Sequence, residues 1–66
     1  MEIRINGETM QWDQSITILG LLEDLRIHPE TVVVEHNLRI VPRERIAEER
    51  IEDGDSIEII RFVGGG

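Results

Sequence analysis

The first twelve residues read as two strands folded back on each other, and whatever follows must cover the face they share. Met1, Ile3 and Ile5 alternate with Glu2 and Arg4, the period-2 pattern of a strand with one face in a core. Asn6-Gly7 follows, a pair that accepts the positive φ needed at both positions of a tight two-residue turn. On the return, Glu8 faces Ile5, Met10 faces Ile3 and Trp12 faces Met1. Met1, Ile3, Met10 and Trp12 then lie on one face, with Trp12 a core residue near the open end. Ile5, opposite Glu8, is expected where the core thins out. A lone hairpin is marginal in water, so a third element must pack on it.

The next segment supplies that cover. Asp13-Gln14-Ser15-Ile16 reads as a loop, and Thr17 as a helix N-cap whose hydroxyl reaches the free N–H groups of the first turn. Ile18, Leu21, Leu22 and Leu25 fall on one helical stripe, with Glu23, Asp24 and Arg26 outside it. Gly20 in mid-helix costs about 1 kcal/mol relative to alanine; a close approach of another strand or chain is the physical reason at hand. His28-Pro29-Glu30-Thr31 is expected to end the helix, because the residue before proline is pushed out of helical space.

Val32-Val33-Val34-Glu35 is a β-branched run and hence a strand. His36-Asn37-Leu38-Arg39 is expected as a tight turn and Ile40-Val41 as a short return strand. Pro42-Arg43-Glu44-Arg45 suits a helical turn with proline at its first position, and Ile46 and Ile51 tuck beneath it as satellite core residues. Asp53-Gly54-Asp55 is a turn before the last strand, Ser56 to Phe62. There Ile57 and Ile59 share one face, while Ile60 and Phe62 point the other way. First and last strands can be neighbours only if they run parallel, and the helix provides the crossover this needs. The expected architecture is a two-layer α+β domain with a mixed sheet. One main helix covers one face, and the core between the layers is Met1, Ile3, Met10, Leu21, Leu22, Leu25, Val34, Ile57 and Ile59.

At 66 residues the chain is expected to be one domain, 1–66, with 63–66 a flexible C-terminal tail. It has no cysteine, which removes disulfides, thiolate metal sites and a catalytic thiol. A net charge of −7 disfavours a phosphate backbone as partner and suits docking onto a basic protein surface. All the cationic side chains are arginine, so the chain cannot be linked to copies of itself through lysine. No apolar run approaches a membrane span and no leader pattern is seen, so a soluble, cytoplasmic protein without membrane or nucleic-acid partners is expected. His28 and His36 read as isolated loop histidines, and Glu23-Asp24, Glu48-Glu49 and Asp53/Asp55 as solvated faces and turn residues. No metal site and no catalytic residue is expected, and the chain is read as not an enzyme.

What stands out chemically is the end, Phe62-Val63-Gly64-Gly65-Gly66. Glycine has no Cβ, so such a backbone can thread a channel that any side chain would block. Three extended residues carry the Gly66 carboxylate about 10 Å from the folded body. A carboxylate resists nucleophiles because of its charge; adenylation with ATP removes the charge and installs a leaving group. A sulfur nucleophile could then leave a thiocarboxylate.

The strand-Asn-Gly-strand start, the Thr17-Ile18…Leu21-Leu22 helix, Ile40-Val41-Pro42-Arg43-Glu44, Asp53-Gly54-Asp55 and the terminal Phe62-Val63-Gly64-Gly65-Gly66 together resemble the ThiS family, the ubiquitin-like sulfur carriers of thiamine biosynthesis. The resemblance covers the whole chain. It implies a β-grasp fold with the last strand central and a short helical turn before it. It also implies that Gly66 is adenylated by a ThiF-like adenylyltransferase and converted to a thiocarboxylate with cysteine-derived sulfur from a desulfurase source. The sulfur is then delivered to a ThiG-like thiazole synthase. Gly64 and Gly65 are the threading residues, and Ile60 and Phe62 the expected docking patch for the activating partner. The chain itself binds no cofactor, ATP and Mg²⁺ being used by that partner. The alternatives are a carrier like the molybdopterin-synthase small subunit, and an interaction module of this fold whose glycines are inert.

Overall fold

The computed structural model describes residues 1–62. Strand β1 (Glu2–Ile5) and β2 (Glu8–Gln11) form the expected hairpin, pairing Ile3 with Met10 and Ile5 with Glu8. Asn6 and Gly7 both have positive φ, 50° and 85°, as a type I′ turn requires. The remaining elements are β3 (Ile16–Thr17), α1 (Ile18–Asp24), β4 (Val32–His36), β5 (Arg39–Ile40), β6 (Arg50–Ile51) and β7 (Ser56–Arg61), with 3₁₀ turns at Pro29–Thr31 and Arg43–Arg45. Five strands form one mixed sheet in the order β2-β1-β7-β4-β5, so the last strand is central. It runs parallel to β1, with Ile5 beside Ile57, and antiparallel to β4 from Val32↔Arg61 to His36↔Ile57. Helix α1 covers one face of this sheet, and the result is the β-grasp arrangement.

The helix begins as its sequence demands. The Thr17 hydroxyl accepts the Gly20 N–H at 3.0 Å, worth about 1 kcal/mol as a cap. Gly20 now has a reason: a Cβ there would lie 2.8 Å from Ile16 Cγ1, so that the Ile16 side chain would have to shift to admit it. The helix ends earlier than the His28-Pro29 pair suggests. Arg26 takes a left-handed φ of 60°, its N–H bonds to Glu23 O, and the Ile27 N–H reaches back to Leu22 O. That is the double hydrogen bond of a Schellman stop, here built without glycine.

Other expectations change as well. Ile16 belongs not to a loop but, with the N-cap Thr17, to a second, two-stranded sheet with Arg50 and Ile51. Ile51 is 0% exposed and central to the core rather than a satellite, and Ile46 is buried beside it. Ile5 is buried too, because Ile57 on the neighbouring central strand and not its hairpin partner Glu8 sets its surroundings. The buried set also includes Ile3, Ile18, Leu21, Leu22, Val32, Val34, Val41 and Ile57, while Met1, Met10, Trp12, Leu25 and Ile59 are only partly buried against it. Each enclosed Ile or Leu contributes about 1.5–3 kcal/mol relative to an exposed one. Finally, Pro42 caps its 3₁₀ turn from outside instead of occupying the first position. No helix among the described residues is long and apolar enough to cross a membrane.

Candidate functional site

Everything distinctive about the candidate site depends on how β7 is held and where it ends. The strand is bonded on both sides along most of its length. Where β1 stops, the Asn6 side chain takes over as partner: its Oδ1 accepts the Ile59 N–H at 2.7 Å and its Nδ2 donates to Ile59 O at 3.4 Å. On the other side the β4 ladder runs on until the Phe62 N–H meets Thr31 O at 3.1 Å. The central strand is thus fixed up to the residue before Val63. Gly64, Gly65 and Gly66 lie outside the described residues.

Alternation along β7 sends Ile57 and Ile59 into the core and leaves Ile60 and Phe62 on the sheet face that α1 does not cover. Ile60 is 47% exposed and Phe62 59%. The register places Val33 directly beside Ile60. On the same face, Ile40 of β5 sits opposite Glu35, and Glu35 opposite Glu58. Val33, Ile60 and Phe62 therefore lie between the two facing carboxylates and the last described residue, with Ile40 beside Glu35. Ile40 and the nearly fully exposed Leu38 were not singled out from sequence, although the alternation of β4 and its short return strand contains the signal for Ile40.

At the far end of β7 the structure corrects the readings of His36, Glu49 and Asp55: Glu49, with its side chain 32% exposed, pairs with a histidine ring instead of belonging to a solvated face. His36 is not an isolated loop histidine: it closes β4 and its side chain is only 11% exposed. Its Nδ1 lies 2.6 Å from Glu49 Oε2 and its Nε2 2.6 Å from Asp55 Oδ2. With a carboxylate on each nitrogen the ring must donate from both, which only the imidazolium can do. Burial by itself lowers the His36 pKa, but the hydrogen bonds to Asp55 and Glu49 and their negative charges outweigh it, so it lies above the ordinary value. Nor is Asp55 a solvated turn residue. Burial pushes its carboxyl up, yet the Glu52 N–H, the His36 ring and the Asn37 amide hold it below the usual range. Asn37 in turn accepts the Ser56 N–H at 2.9 Å, tying the β4–β5 hairpin to the start of β7. This cluster anchors the strand; its three acidic and basic side chains satisfy one another, and among the described residues no group has the makings of a metal site. His28, by contrast, is exposed, with only Glu30 at 3.8 Å.

This geometry matches known proteins along the entire chain. The model of the ThiS family matches residues 3–66. The chain is 38% identical over 65 residues to the sulfur carrier protein ThiS of Bacillus subtilis, covering 97% of this chain and 98% of that one. It is 42% identical over 66 residues to the thiazole synthase of Paramagnetospirillum magneticum, but spans only 20% of that protein's length. The crystal structure of the thiamine biosynthesis protein ThiS from Geobacter metallireducens superposes with a TM-score of 0.88 at 33% identity, covering 100% of both chains. From its first strand to its terminal glycines, the chain belongs to the ThiS family.

Proposed function

We propose that this chain is a sulfur carrier for thiazole formation in thiamine biosynthesis, with the Gly66 carboxylate as its working group. The observation that carries this reading is a central strand, held on both sides as far as Ile59 and on the β4 side up to Phe62, that leads directly into Val63-Gly64-Gly65-Gly66 in a chain of the ThiS family. A rigid body fixes the start of a slim tail, and the tail can enter an active site that a side chain would jam. Chemistry is supplied from outside. An adenylyltransferase of the ThiF kind, bringing ATP and Mg²⁺, joins AMP to the carboxylate and releases pyrophosphate. A sulfur nucleophile at the oxidation level of sulfide then displaces AMP and leaves a thiocarboxylate. A thiazole synthase is the acceptor; that a relative named thiazole synthase contains a stretch like this whole chain supports the pairing.

Ile60 and Phe62 form the docking patch for the activating enzyme in this reading, with Val33 and Ile40 extending it. Grouped exposed apolar side chains beside a functional end suit a partner surface, and the adjacent Glu35 and Glu58 suit a partner with cationic side chains at that point. The solved structures named as thiamine biosynthesis proteins favour this branch over a molybdopterin-type carrier.

The test is ATP–pyrophosphate exchange by the activating enzyme of the same host, with a thermal melt for each variant. Gly66→Ala should lower the exchange rate by about 10²-fold through lost alignment and leave the melt unchanged. Phe62→Ala should weaken binding to the enzyme, measured by calorimetry, far more than it lowers stability. Exchange by Gly66→Ala at the wild-type rate would remove the basis for a threaded end that no Cβ can follow, and no exchange with the wild-type chain would leave the inert-tail interaction module.

A further inference from the structure

The proposed chemistry needs the tail to start from a fixed point, and the structure contains a specific device at that point. His28 is extended, and Pro29, with its fixed φ and no N–H, opens the 3₁₀ turn Pro29–Thr31. The His28 carbonyl accepts twice from the same residue: from the Thr31 N–H at 3.0 Å and from the Thr31 hydroxyl at 2.7 Å. The next N–H, that of Val32, closes onto Pro29 O. Thr31 is therefore held by its own backbone, by its side chain and by its successor. Its one remaining backbone group, the carbonyl, receives the Phe62 N–H at 3.1 Å.

That contact is the last described rung of the β4–β7 ladder. The Phe62 side chain is 59% exposed, so burial does little to hold this residue and the backbone bond does most. The other feature of the turn, the His28–Glu30 pair, is 3.8 Å long with both side chains mostly exposed and contributes little. Beyond Pro29 and the two backbone hydrogen bonds, the side-chain bond that stiffens the turn is that of the Thr31 hydroxyl.

We propose that Thr31 is a positioning residue for the reactive tail: by locking the turn it pins Phe62, and so sets the point from which residues 63–66 leave the sheet. This rests on the carrier reading above. Four extended residues span about 13 Å. Releasing Phe62 moves the last fixed point back by one residue and lets the origin of the tail shift, when alignment at a reacting carbonyl tolerates only about 1 Å of error.

Thr31→Val tests this, since it keeps the shape, the β-branching and both backbone groups and removes only the hydroxyl. Thr31→Ser restores the hydroxyl. Three measurements are made on the full chain: hydrogen exchange of the Phe62 and Ile59 amides by NMR, the thermal melt, and kcat for ATP–pyrophosphate exchange at saturating carrier. In Thr31→Val the Phe62 amide should exchange roughly three- to tenfold faster, the scale of one lost hydrogen bond, with Ile59 little changed. The maximal rate, measured well below the melt, should fall by a similar factor, the melting temperature should drop only by the few degrees that one hydrogen bond accounts for, and Thr31→Ser should recover both. A turn that merely supports the fold would shift the melt and leave kcat at saturation intact. Unchanged Phe62 exchange or unchanged kcat in Thr31→Val overturns the inference while leaving the carrier reading in place. Failure of the wild type itself to be adenylated overturns the carrier reading, and with it this role of Thr31.

Discussion

Replacing His36 with alanine should make the stability of this domain lose a component that depends on pH in a definite direction. The ring lies between Glu49 and Asp55 at 2.6 Å on each side, with side chains 11%, 32% and 15% exposed respectively. The other neighbours are Arg39, its exposed register partner on β5, and apolar Ile57 on β7. A hydrogen bond to a charged group is worth about 1.5–3 kcal/mol net. Removing the cation shared by two carboxylates also leaves them facing a common gap. The loss should therefore be about 2–4 kcal/mol, most of what a core this size supplies. The sign follows from the direction of each shift. His36 is raised above 6.5, so its contribution is complete below pH 6.5 and fades as pH rises through the higher folded value. Asp55 is lowered below 3.8, so its contribution is complete above pH 3.8 and fades as pH falls through the lower folded value. Both are fully present between 3.8 and 6.5. Urea unfolding of wild type and His36→Ala at about pH 6 and about pH 9 measures the difference directly, with Glu49→Gln as a milder variant that keeps one contact. The gap between wild type and His36→Ala should be large at the lower pH and shrink at the higher. Parallel pH profiles for the two proteins would show that the ring is not held as a cation.

The two type I′ hairpin turns make a matched comparison. Leu38 sits at φ 72° with its side chain 89% exposed, in a place where Asn6-Gly7 uses glycine. Leu38→Gly relieves left-handed strain of about 1–2 kcal/mol and forfeits no burial, against an unfolded-state entropy cost of about 0.4–1 kcal/mol. The net gain should raise the melting temperature by a few degrees, and a fall in that temperature would mean that Leu38 makes a contact worth more than its strain. Leu22→Ala removes a side chain only 1% exposed and should cost about 2–5 kcal/mol, read as an unfolded or barely folded circular-dichroism spectrum at 25 °C. Gly20→Ala, normally favourable in a helix, should here destabilise because Ile16 must move away from the new methyl; a higher melting temperature would show that β3 yields freely.

Much of the fold was legible because its long-range logic is carried by local signals. Asn6-Gly7 announces the hairpin, Thr17 the helix start, and the alternation of Ser56–Phe62 the division between core-facing and outward residues. The same alternation exposed Ile60 and Phe62 as outward-pointing, which the structure shows them to be. What was not legible is contact without periodicity. The β3–β6 pair spans two residues on each side, too few to display any period. The burial of Ile5 is decided by a strand some fifty residues later. His36, Glu49 and Asp55 are brought together from three separate segments, and in the sequence each resembles an ordinary surface residue. The Schellman stop at Arg26 was hidden for a different reason: the position usually taken by glycine is filled by a residue that local composition does not mark.

The central proposal, that Gly66 carries sulfur, is tested most directly by intact-mass spectrometry of the protein isolated from its own host during thiamine-limited growth. The predicted result is a population heavier by the difference between one sulfur and one oxygen atom, with fragmentation placing the added mass on Gly66. That population should disappear when the activating enzyme is deleted. Finding the unmodified carboxylate alone, in cells that contain the active enzyme and are making thiazole, would contradict it.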